Sequence, residues 1–171
     1  MQNIEKETLE NLIDFLHCNE SSETFKRKRY FLFNFAILWN LFEDKCMNNF
    51  AQIRNVDNFV EGLQIPDSFE TDYICNYFRN RYFGSLDSSI NFSGLLWRNN
   101  ETNYSSITRE ILNNTESSTK DKIKACLYII FRLRNNLFHG EKDISIINEQ
   151  KKTFVYVNKF LMDIIKIKNN R

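Results

Sequence analysis

The chain has 171 residues, a mass of 20.6 kDa and a formal net charge of +1. That length fits one domain, taken here as residues 1–171. With 42% hydrophobic residues but only four glycines and one proline, it lacks the turn residues that a sandwich or barrel of many short strands requires. So small a net charge gives no global positive field, and any nucleic-acid contact has to come from local patches.

The first predicted element covers residues 4–18, where Ile4, Leu9, Leu12, Ile13 and Leu16 share one side of a helix before the polar break 19–22. A second helix over 24–47, capped by Ser22 or Thr24, runs from the basic cluster Lys26, Arg27, Lys28 and Arg29 through Tyr30 to Glu43. It is apolar nearly all round, which predicts burial on more than one side, inside a bundle or against a second subunit. Residues 57–63 read as a short helix and 67–83 as a longer one built on Phe69, Tyr73, Ile74, Tyr77 and Phe78. The stretch 84–105, with Gly84, Gly94 and many Ser and Asn, reads as a loop with one turn near Leu95–Trp97, and 108–113 as a brief helix. A helix over 119–139 starts at Ser118 or Thr119 with Asp121 in its first turn and stops at Gly140. The last helix, over 144–168, carries Ile147, Phe154, Val157, Leu161, Ile164 and Ile165. These elements predict an all-α helical bundle with a short-helix and loop insertion.

Cys18, Cys46, Cys75 and Cys126 show no close pair, which fits reduced thiols acting as small core residues rather than a disulfide framework or a zinc site. His17 beside Cys18 has no further ligand nearby and is given no role. No apolar run reaches the roughly 18 residues of a membrane span, and residues 1–7 carry acids rather than a signal-peptide core. A cytoplasmic protein is the expectation, and its Asn-x-Ser/Thr matches are then incidental.

Chemistry concentrates in Arg134-Asn135-Asn136-Leu137-Phe138-His139-Gly140, which joins an arginine, an amide and one of only two histidines. At 100° per residue Arg134 falls in line with Ile123, Leu127 and Ile130, so its guanidinium needs a partner or a cavity. Asn135 and His139 share another face with Tyr128 and Arg132, a polar strip on an otherwise apolar helix. An arginine and a histidine at a helix end can simply cap carbonyls or pair with Glu141 or Asp143. The wider heptapeptide argues for more.

That heptapeptide, with Glu141 and Lys142 after it, resembles the motif region of the HEPN (higher eukaryotes and prokaryotes nucleotide-binding) superfamily. A weaker likeness covers Ala36 to Glu43. The resemblance implies a HEPN-type bundle assembled as a two-fold homodimer through these two helices. It also implies a metal-independent endoribonuclease without cofactor, with Arg134 and His139 as the catalytic pair and Asn135 as the polar residue between them. Cleavage would run through the RNA's own 2′-hydroxyl, with His139 moving a proton and Arg134 neutralising charge on the phosphate. Arg132 also stands within the family's spacing, and Asn135 decides for Arg134. RNA contacts are expected at Arg132, Lys26, Arg27, Lys28, Arg29 and Lys142, with Arg79, Arg81, Lys120, Lys122 and Lys124 as further basic positions that a solvated face would also explain. The resemblance further implies a toxin or defence effector, with an antitoxin or other regulatory protein as the expected partner. Glu141 stands where one toxin group has a tyrosine modified by its antitoxin, which argues against that route. The alternative is a non-catalytic dimer that binds RNA, nucleotide or a protein as a scaffold.

Overall fold

The structure, a computed structural model, describes residues 2–15, 21–84, 92–138 and 150–169. It is helical throughout, with no strand among the described residues. The helices with bounds among the described residues are, in order, α1 (Gln2–Phe15), α2 (Ser22–Met47), α3 (Val56–Glu61), α4 (Asp72–Phe83), α5 (Thr102–Asn113), α6 (Thr119–Phe138) and α7 (Lys151–Asn169). Two short 3-10 turns, Ile53–Asn55 and Asn99–Glu101, lead into α3 and α5.

Local chemistry sets the ends. Ser21, one residue before the expected caps, accepts from the Thr24 amide at 3.3 Å and opens α2. Asn48 closes the same helix at φ 52°, a left-handed conformation that asparagine tolerates. Ser118 caps α6 by accepting from the Asp121 amide at 3.1 Å while its hydroxyl donates to the Asp121 carboxylate at 2.6 Å. The helix expected over 67–83 begins only at Asp72, because Pro66 to Phe69 closes a turn through a 2.9 Å backbone bond. The brief helix expected at 108–113 is instead the twelve residues of α5, starting inside the presumed loop. The predicted turn of the last helix over 144–149, Gly140, His17 and Cys18 lie outside the described residues.

Helix α6 is the central element, and from Ala125 to Leu133 every side chain is buried. Helix α5 packs along one side of it and α3 along another, while α2 packs chiefly on α7. The α2–α7 seam is aromatic: Phe31 stacks on Phe154 at 5.9 Å, and Phe35 meets Phe154 edge-on at 4.9 Å. Trp39 closes α2 onto α6 by an edge contact with Phe131 at 4.9 Å. Fully burying each such ring contributes about 1.5–3 kcal/mol. The thiols of Cys75 and Cys126, which the sequence shows as unrelated, meet in the core with their sulfurs 3.6 Å apart. No described helix is long and apolar enough to cross a membrane.

Candidate functional site

At the end of α6 the residue order places two arginines in opposite environments. Arg132 is fully buried. Its guanidinium forms an ion pair with Glu101 at 3.1 Å, donates to the carbonyls of Leu95 (3.1 Å) and Leu96, and donates to Asn136 Oδ1 at 3.1 Å. Asn136, also fully buried, donates from Nδ2 to the carbonyls of Leu95 at 3.0 Å and Gly94 at 3.4 Å. This network clamps the 94–96 loop and the start of α5 onto α6. It also supports Leu96, whose φ of 53° costs a branched side chain about 1–3 kcal/mol. Arg132, expected among the RNA contacts, is thus an interior group whose donors are spent on the fold.

Arg134 is half-buried and points toward α2. Its guanidinium carbon sits 5.6 Å from the Trp39 ring centre and 5.6 Å from that of Phe138, and its Nη1 donates to Asn135 Oδ1 at 3.2 Å. The guanidinium expected in line with core positions therefore finds two aromatic faces and a neighbouring amide rather than a carboxylate. Its buried Nε meets no acceptor among the described residues.

Asn135, one position round the helix, faces an open cavity of about 510 Å³. Gln52, Arg54, Arg98, Asn100, Glu101, Tyr104 and Phe131 contribute to its wall. Sequence reasoning missed Arg54 and Arg98. They lie far from the motif in sequence, on or beside the two 3-10 turns, and only the docking of those turns against α6 brings them to Asn135. Tyr128 and Arg132, two further members of the expected polar strip, turn inward, and fully buried Tyr128 donates to Asp57 at 2.5 Å. Burial first, and then the adjacent Asp57 carboxylate, push its hydroxyl well above the ordinary tyrosine range.

His139 and Lys142 lie outside the described residues, as does the side chain of Lys28. Lys26 and Arg27 are exposed on the first turns of α2, while the Arg29 guanidinium covers the Phe25 ring at 3.9 Å. Because Phe35 reaches both Phe138 and Phe154, these turns stand at the end of the bundle where α6 finishes and α7 begins. Lys120 and Lys124 pair with Glu61 at 3.3 and 2.8 Å, and Lys122 with Asp72 at 2.9 Å, so these three tie helices together. Arg79 donates to the Leu112 carbonyl, and Arg81 lies 5.8 Å from the Tyr82 ring centre.

No family model, curated protein or solved structure matches this chain.

Proposed function

We propose that this chain is a HEPN-type, metal-independent endoribonuclease that works as a homodimer, as a toxin or a defence effector. The observation that carries the reading is the pairing of Arg134 with Asn135 at the end of a buried helix, guanidinium to amide at 3.2 Å, with the amide open to a polar cavity. His139 follows Asn135 by four residues, the spacing that returns to the same helical face. In the reaction the RNA 2′-oxygen attacks the adjacent phosphorus, and the bond to the 5′-oxygen breaks. A 2′,3′-cyclic phosphate and a 5′-hydroxyl result. His139 moves the proton, and Arg134 offsets charge on the phosphate oxygens with a planar fork that matches them.

The homodimer draws support from α2. Tyr30, Phe33, Ile37 and Leu41 fall on one side of it and are exposed, Phe33 by 67%. Phe138, exposed at the end of α6, packs instead on buried Phe35 on the inner side of α2. A patch of the kind that α2 exposes marks an association surface on which a second copy can seat.

The test is cleavage of total tRNA and a structured messenger RNA in EDTA by parent and His139→Ala proteins, with product ends identified. Cleavage by the parent alone, leaving cyclic phosphate ends, is the expected result. Equal cleavage by both proteins removes His139 from the reaction, and RNA binding without turnover in both replaces the nuclease with the binding scaffold.

A further inference from the structure

The cavity beside Asn135 carries more positive charge than the motif needs. Arg54 and Arg98 are exposed at its wall, and neither has a carboxylate partner among the described residues. The acid in the lining, Glu101, is neutralised by Arg132 at 3.1 Å, so the pocket's free charge is that of the two arginines. Unpaired arginines on one concave surface form an anion site, because the fork of each guanidinium donates two parallel bonds to neighbouring oxygens.

The backbone behind Arg98 is fixed. Its amide donates to Glu101 Oε2 at 3.1 Å, the same carboxylate oxygen that pairs with buried Arg132. Two residues earlier, the Leu96 carbonyl accepts from Arg132 as well. Arg98 therefore projects from a loop anchored to α6, and less order has to be created when a ligand arrives. Tyr104, its ring held 4.9 Å from that of Tyr128, adds an aromatic wall, and Gln52, Asn100 and Asn135 add amides. A volume of about 510 Å³ lies within the range of small-ligand sites, roughly 300–1,000 Å³.

We infer that this pocket holds one nucleotide of single-stranded RNA, its phosphate between Arg54 and Arg98 and its sugar and base along Tyr104, next to the phosphate cut at Arg134. The inference rests on the RNA-cleaving reading for its ligand. Each arginine contributes a charged hydrogen-bonding contact, so loss of either weakens binding about tenfold. Each also releases counterions when it meets a phosphate, so the slope of log affinity against log salt falls by roughly 0.7 per arginine lost.

The experiment measures fluorescence anisotropy of a labelled decamer of 2′-O-methyl RNA, which cannot be cleaved through its own 2′-oxygen, at several salt concentrations. The proteins are the parent, Arg54→Gln, Arg98→Gln, the double variant and Arg134→Gln. Both subsite positions are exposed, and unchanged melting temperatures confirm intact folds. Weaker binding and a shallower salt slope in the double variant are expected. So is a parent preference for RNA over polyphosphate of equal charge, which lacks sugar and base. Unchanged binding in the double variant, equal displacement by polyphosphate, or no binding by the parent overturns the subsite. The cleavage assay separates the two readings. Cleavage that needs His139 but ignores Arg54 and Arg98 leaves the nuclease without this subsite, whereas arginine-dependent binding without cleavage leaves the subsite without the nuclease.

Discussion

Replacing Arg132 with methionine tests whether the buried arginine belongs to the fold rather than to the chemistry. Methionine keeps much of the length but removes the charge and every donor. Glu101, only 6% exposed, then loses its partner, and the carbonyls of Leu95 and Leu96 lose their donor. Breaking a buried ion pair from one side costs about 3–5 kcal/mol. The orphaned carbonyls share water with the relaxing loop, so we take about 4 kcal/mol for the whole change rather than a sum. For a chain of this size that lowers Tm by roughly 8–16 °C. Urea unfolding followed by circular dichroism measures it directly, as a shift in midpoint at constant slope. The double variant with Glu101→Gln is expected to cost less than the two single changes added, by about 1–3 kcal/mol, because each single change strands the other group. Arg134→Ala, which removes only contacts with two aromatic rings and an amide, is expected to cost about 1 kcal/mol. An Arg132→Met loss below about 1 kcal/mol, or strict additivity with Glu101→Gln, would refute the reasoning.

Two further outcomes follow from surfaces and titrating groups already described. Phe33→Glu with Ile37→Glu places charge on the exposed stripe of α2 and is expected to convert a dimer to a monomer in sedimentation velocity while the helical circular-dichroism signal is kept; a parent that sediments as a monomer at every concentration removes the dimer. Alkaline stability is expected to fall from about pH 9 upward. Burial pushes the Cys46 thiol from 9.0 and the Tyr82 hydroxyl from 10.0, each up to about 12, and pushes Tyr73 and Tyr128 upward as well. The unfolded chain then releases these protons first, so stability present below the unfolded values is lost as pH rises toward the folded ones. A melting temperature that stays level from pH 8 to 11 would contradict that burial.

The parts of this fold that were legible in the sequence are those with local causes. The Ser118 to Asp121 start of α6 is a property of adjacent residues, and the structure follows it closely, whereas α2 forms as one long helix but buries only one side within the chain. Helix α5 was half missed because its first turns are Thr, Asn, Tyr and Ser, residues of modest helix propensity. The signal was present in the spacing of Tyr104, Ile107, Thr108, Ile111 and Leu112, the stripe that α5 turns toward the core. At the site, Arg134 and Asn135 could be singled out because they are neighbours in one motif. The burial of Arg132 could not, because it depends on carbonyls 36 and 37 residues away in sequence. Arg54 and Arg98 reach Asn135 by the same kind of long-range docking, as does the meeting of Cys75 with Cys126.

The seam between α2 and α7 also sets an order on the birth of the molecule. Asn158 donates to the Phe31 carbonyl at 3.0 Å across 127 positions of chain, and the rings of Phe31 and Phe35 on that face find Phe154 only then. At ribosomal speeds of about 5–20 residues per second, α2 waits roughly 6 to 25 s between its own synthesis and that of its cover. Throughout that interval it is a long helix with both an inner and an outer apolar side bare. A nascent copy in this condition is a substrate for chaperones, and two copies on one message can seat the α7 of one against the α2 of the other. Exchange of α7 between two copies is the misassembly that this delay would favour, most of all where ribosomes crowd on the message.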